Sequence, residues 1–106
     1  MIDDIRILLL AAGASRRMRG RDKLLQEVDG QPLIARAAEI ALATGAQVVV
    51  TLPPPPHPRY AALAGLDVRT IPVPDAGEGM GASIRTGIAA LPPATPAAMI
   101  LLADLP

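Results

Sequence analysis

A chain of 106 residues with balanced acids and bases and a hydrophobic half fits one small globular domain. Zero net charge argues against the broad basic surface of a general nucleic-acid or anionic-membrane binder, and a single aromatic, Tyr60, against a base-stacking platform. The absence of cysteine excludes disulfide frameworks, thiolate zinc sites and cysteine nucleophiles, and suits a reducing cytoplasm.

The N-terminus imitates a signal peptide. Asp3 and Asp4 carry the wrong charge for one, Arg6 interrupts, and the apolar run over residues 7–12 is too short. Residues 5–10 instead read as a buried strand. The loop that follows, to about Gly30, begins with small residues (Ala11, Ala12, Gly13) and then crowds Arg16, Arg17, Arg19, Arg21 and Lys23 against one acid, Asp22. Small residues let a ligand approach the backbone, and clustered cations point to an anion, above all a polyphosphate. Residues 32–44 carry helical logic, with Pro32 at the first helical position, Leu33, Ala37, Ile40 and Ala41 on one face, and Gly45 as the stop.

Residues 47–52 form a second, valine-rich strand. Pro53 to Pro58 reads Pro-Pro-Pro-Pro-His-Pro, a stiff extended surface connection. His57 within it has no second metal ligand or nucleophile nearby and reads as a loop residue. A short helix is expected over residues 60–66. Residues 68–73 make a third strand, placed at a sheet edge by Pro72. The flexible run Gly77-Glu78-Gly79-Met80-Gly81 leads into a helix over residues 82–91, with Ile84, Ile88 and Leu91 on one face. Residues 86–103 carry no charge, but Pro92, Pro93 and Pro96 break any membrane-spanning helix. Residues 98–103 form a fourth apolar strand, followed by Asp104-Leu105-Pro106.

Strands alternating with helices imply a parallel sheet with right-handed crossovers, covered on both faces. Ligands bind such sheets at the carboxyl ends of the strands. Three features fall there: the Gly13 loop, the segment before Ser83, and Asp104. The chain stops on a strand and an acid with nothing to cover them, which reads as a cut; the open sheet edge beyond the fourth strand is then expected to self-associate.

Two phosphate-binding loops fail on spacing. A Walker loop needs glycine where Met18 stands, and a dinucleotide fingerprint needs glycines where Ser15 and Met18 stand. What matches is Leu-x-Ala-Ala-Gly-x-Ser-x-Arg-Met-x-Gly over residues 9–20, with Lys23 just beyond. This pattern resembles the nucleotidyltransferase signature of the MobA-like molybdenum-cofactor guanylyl- and cytidylyltransferases and their relatives, among them the methylerythritol-phosphate cytidylyltransferases. Gly79-Met80-Gly81-Ala82-Ser83-Ile84-Arg85-Thr86-Gly87 and Leu101-Leu102-Ala103-Asp104-Leu105-Pro106 agree in order and spacing.

The resemblance covers the whole chain and the N-terminal half of such a domain. It implies an α/β, Rossmann-like parallel sheet with flanking helices, of the nucleotide-diphospho-sugar transferase type, incomplete on the C-terminal side. It implies transfer of a nucleoside monophosphate to a phosphorylated acceptor with release of pyrophosphate. The Gly-Met-Gly-Ala-Ser-Ile run is similar to the cytidylyl branch, so CTP as co-substrate and molybdopterin as acceptor are expected. Leu10, Ala11, Ala12 and Gly13 would lie against the nucleotide, Arg17 and Lys23 would clasp the triphosphate as the catalytic cations, Ser83 would meet the base or ribose, and Asp104 would hold Mg2+. Arg16, Arg19 and Arg21 are expected to be solvated. The expected setting is the cytoplasm, with small-molecule partners and neither nucleic acid nor membrane. A related enzyme using GTP or a sugar or polyol phosphate is an alternative, as is a nucleotide- or pterin-binding module without turnover. The later half of such a domain supplies a second metal-holding acid and much of the acceptor pocket, so these 106 residues alone are expected to be weak or inactive.

Overall fold

The apolar runs pair as parallel strands, and the segments between them supply the helices that cover the sheet. The computed structural model describes residues 5–12, 17–18, 21–74, 80–91 and 97–102. In chain order these form β1 (Ile5–Leu10), β2 (Arg17–Met18), β3 (Arg21–Asp22), a 3-10 turn (Lys23–Leu25), β4 (Glu27–Val28), β5 (Gln31–Pro32), α1 (Leu33–Leu42), β6 (Gln47–Leu52), α2 (Pro58–Ala62), β7 (Arg69–Pro72), α3 (Met80–Ala90) and β8 (Ala97–Leu102).

The main sheet has the order β7-β6-β1-β8, all parallel. The chain steps outward from β1 to β6 to β7, and α3 then carries it back across to β8 on the other side of β1. The strand order therefore reverses between β1 and β8. In open parallel sheets that reversal leaves a crevice at the carboxyl ends of the two strands, because the loops leaving them turn to opposite faces. Pro72 sits on the β7 edge, as its missing N–H requires.

Alternation along β1 feeds two cores. Ile7, Leu9 and Ala11 join Ile34, Ala38 and Ala41 of α1, with Val48, Val50 and Leu52 of β6, Leu24 and Leu63. Leu8 and Leu10 turn the other way, with Val49, toward Ile84 and Leu91. The unbroken apolar run from Ile7 to Leu10 is what a sheet covered on both faces demands.

Both expected helix faces shift. In α1, Ile34, Ala35, Ala38 and Ala41 are buried, while Ile40 is 61% exposed. Pro32 precedes the helix instead of opening it, and the buried alanines allow closer approach to the sheet than the larger side chains would. Gly45 does end the run, with φ +86°. In α3, Ile88 is 51% exposed, and Gly87 faces the sheet in its place. A Cβ at Gly87 would lie 2.5 Å from Cδ1 of the fully buried Leu8. That approach leaves no room for a branched side chain.

The expected loop over residues 11–30 is more regular than its composition suggests. Arg17 pairs with Asp22 and Met18 with Arg21 in the β2–β3 ribbon. The β4–β5 ribbon turns at Asp29 and Gly30, with φ of 55° and 86°. Two consecutive positive φ angles identify a type I′ hairpin, for which Asp-Gly is a favoured pair. α2 starts at Pro58, earlier than expected, and His57 is its cap: its Nδ1 accepts the Arg59 N–H at 3.2 Å.

Candidate functional site

At the carboxyl end of β1 the ladder continues one residue beyond the strand. The Ala11 N–H donates to the Thr51 carbonyl at 3.0 Å and reaches Thr51 Oγ1 at 3.3 Å. The Ala11 carbonyl accepts from the Arg59 guanidinium of α2 at 2.7 Å. Thr51 is 0% exposed and Arg59 3%. Ala11 is therefore engaged through both backbone groups.

Ala12 packs with Val73 and Ala82 in a small buried cluster of its own. This contact draws together the exit of β1, the residue after β7 and the first turn of α3, where Ser83 follows Ala82. On the other side, the parallel register aligns Leu10 with Leu102, so β1 and β8 end level. The exits of β1 and β8 and the start of α3 thus share one edge of the sheet.

Leu10 is the last residue of β1 and points into the core with Leu8 and Val49, 8% exposed. The methyls of Ala11 and Ala12 are also buried, so any ligand contact along this stretch falls to backbone. Arg17 lies in β2 opposite Asp22, and Lys23 opens the 3-10 turn. The next residue of that turn, Leu24, is buried, and the turn lies against α1 and α2. The cation-rich segment is thereby tied to the helix whose Arg59 holds Ala11. Gly13, Asp104, Arg16 and Arg19 lie outside the described residues.

Sequence reasoning missed Thr51 and Arg59. Thr51 looks like one β-branched residue among valines. Arg59 follows the proline run and carries no local pattern; only its burial in the tertiary structure marks it. Its neighbour Tyr60 donates its hydroxyl to the Pro53 carbonyl at 2.7 Å, and burial raises the phenol pKa above its ordinary 10.0. Among the described residues no three acids or histidines converge as a metal site. A cavity of about 480 Å3 opens at the opposite, amino end of the sheet, lined in part by Arg6, Gln47, Asp67 and Arg69. It is far from the strand exits, where Ala11 and Ala12 lie. No helix among the described residues is long and apolar enough to cross a membrane.

Comparison with known proteins agrees with this geometry. The family described as MobA-like NTP transferase domain matches residues 7–106. A probable molybdenum cofactor guanylyltransferase of Synechococcus elongatus is 40% identical over 67 residues, 63% of this chain and 33% of that protein. A Synechococcus sp. protein of the same description matches equally. Among solved structures, Rv0371c of Mycobacterium tuberculosis H37Rv has a TM-score of 0.78 at 27% identity, over 98% of this chain and 53% of its own. A nucleotidyl transferase from Methanothermobacter thermautotroptrophicus has a TM-score of 0.79 at 24% identity, over 96% of this chain and 51% of its own, a likeness of fold alone. The chain spans about a third of the curated relatives and about half of the solved ones.

Proposed function

We propose that this chain, which belongs to the MobA-like NTP transferase domain family, is the nucleotide-gripping part of an enzyme that moves a nucleoside monophosphate from its triphosphate to a phosphorylated acceptor. The observation that carries this reading is the convergence at the strand-order reversal: the Ala11–Ala12 exit of β1, the level end of β8 and the Ala82–Ser83 turn of α3 on one edge. The nucleotide is GTP and the acceptor a molybdopterin-type phosphate, a choice supported by the description of the Synechococcus relatives. The similarity of residues 79–84 to the cytidylyl branch supports a second reading in which CTP takes its place.

In this proposal the backbone at Ala12 and Gly13 contacts the nucleotide, with Leu10 and Ala11 beneath it as support. Arg17 and Lys23 hold the triphosphate, and Ser83 meets the base or ribose from a helix start. An oxygen of the acceptor phosphate attacks the α-phosphorus in line. A new P–O bond forms, the bond to the β-phosphate oxygen breaks, and pyrophosphate leaves with the electron pair. Positioning and charge neutralisation carry such a transfer. We assign Mg2+ to Asp104, where it would add positive charge against the phosphates. The cysteine-free composition suits work in the cytoplasm.

Calorimetric titration with GTP, CTP and ATP, with and without Mg2+, tests the assignment. GTP is expected to bind most tightly and in a metal-dependent way. Tighter binding of CTP would establish the cytidylyl reading. Equal weak binding without metal dependence would make the chain a binding module, and binding of none would overturn the nucleotide assignment.

A further inference from the structure

We propose that Arg59 is a positioning residue of the nucleotide site, which grips the Ala11 carbonyl and thereby sets the direction in which the chain enters the phosphate-binding loop. The inference rests on the nucleotidyltransferase reading above.

A buried arginine is costly: a guanidinium removed from water loses several kcal/mol of hydration, which hydrogen bonds and charge pairing must offset. Arg59 is 3% exposed, yet lies in a short helix behind a stiff proline run. One of its bonds is to Ala11 O at 2.7 Å, across 48 residues of sequence. A charged donor on a neutral carbonyl makes one of the stronger hydrogen bonds available to a backbone.

The peptide unit is planar and trans, so its C=O and the following N–H point in opposite directions. Holding Ala11 O fixes the plane of the peptide joining Ala11 to Ala12, and with it the direction of the Ala12 N–H. Thr51 holds the N–H side of Ala11 from β6 at the same time. The exit of β1 at Ala11, two residues before Gly13 in the sequence, is therefore clamped from two elements. Binding affinity for a polyphosphate gains when the loop is already aimed, because the cost of ordering it is met in folding.

The helix that carries Arg59 is itself anchored. His57 Nδ1 caps the Arg59 N–H, and the Tyr60 hydroxyl holds the Pro53 carbonyl. The proline connection thus has a task in this proposal: it delivers α2 stiffly to the end of β1.

The test compares wild type, Arg59→Met, Arg59→Lys and Leu63→Ala for GTP and CTP binding in the presence of Mg2+, at a temperature where circular dichroism finds each folded. Leu63→Ala loosens the same helix without touching the guanidinium. Arg59→Met is expected to weaken the tighter-binding triphosphate by about tenfold to a hundredfold, the size of a charge-assisted hydrogen bond. Arg59→Lys should recover part of that loss, and Leu63→Ala should change affinity by less than about twofold. Equal losses in Arg59→Met and Leu63→Ala, or no loss in Arg59→Met, would overturn the proposal. If Arg59→Met does not fold, Arg59→Lys carries the test through the nitrogen-15 shift of Ala12, which senses hydrogen bonding at the preceding carbonyl. That shift should move in the variant without ligand; an unchanged Ala12 shift sinks the proposal. If the wild type binds no triphosphate, the nucleotide reading fails, and the Ala12 shift still decides whether Arg59 aims the loop.

Discussion

Lys23 opens a turn whose next residue, Leu24, is only 2% exposed, so its backbone is anchored in the core although it lies in a cation-rich segment. A lysine ammonium is a point charge with donors and no acceptor, so it discriminates among ligands by the charge they carry. Lys23→Ala is therefore expected to weaken binding of a nucleoside triphosphate by about tenfold or more while leaving the uncharged nucleoside nearly unaffected. Calorimetry on both ligands checks this, and equal losses would remove Lys23 from its role. Tyr60 offers a second residue-scale test. Burial raises its phenol above 10.0, so the folded state holds the proton more tightly than the unfolded chain. Below pH 10.0 its contribution is fully present. As pH rises from there through the folded value, the unfolded chain binds fewer protons and stability falls. As the chain has one tyrosine and no tryptophan, ultraviolet absorbance reads this titration directly. The midpoint should lie above 10.0 in the folded protein and return to it in denaturant; identical midpoints would show a solvated phenol. Chemical unfolding as a function of pH should lose the alkaline part of its slope in Tyr60→Phe.

Helix α3 shows how one element serves two ends. Its first turn brings Ala82 onto Ala12 and Val73, which sets Ser83 beside the exit of β1. Farther along, Gly87 lets the helix lie directly on Leu8. An alanine there would improve helix propensity by about 1 kcal/mol. The added methyl would meet a fully buried leucine in a close-packed core, which costs about 1–3 kcal/mol. The clash should win. Gly87→Ala is expected to lower Tm, by about 4–8 °C for each net kcal/mol lost, and to weaken nucleotide binding as α3 lifts from β1. A raised Tm would show that Leu8 repacks freely. The same elements explain which part of the site could be read in advance. The β1 run, the small residues after it and the first turn of α3 are legible because each is a local pattern of size and polarity. The Asp29-Gly30 hairpin carried a readable turn signal that the loop composition obscured. Arg59 could not be read, because its meaning depends on a partner 48 residues earlier in the chain.

Across the whole molecule the two edges of the sheet differ. The β7 edge is short, carries Arg69 and is blunted by Pro72. β8 is longer, uncharged and free of proline, with Met99 52% and Ile100 43% exposed on its opposite faces. Among the described residues no strand covers its outer side. A sheet edge of this kind templates another strand, since backbone groups without a strand partner and apolar side chains both gain from pairing. The 106-residue chain by itself is expected to associate with a second copy through β8. Light scattering should find species larger than a monomer, and Ile100→Lys should reduce them by placing a charge at the contact. A clean monomer across a wide concentration range would count against the open edge as an associating surface.

The sequence by itself determined the class of fold, the parallel pairing, the edge position of Pro72 and the strand exit that carries the small residues. These follow from periodicity, turn chemistry and charge, all of which act over a few neighbours. Only the tertiary structure decided the order β7-β6-β1-β8, which stripe of each helix is buried, and the clamp of Arg59 and Thr51 on Ala11. Those depend on which distant surfaces meet. In α1, two apolar stripes compete within one helix, and the alanine-rich one prevails because it permits the closest packing on the sheet. At Ala11, burial turns an ordinary arginine into a fixed hydrogen-bond donor, a property that no residue acquires until the chain has folded around it.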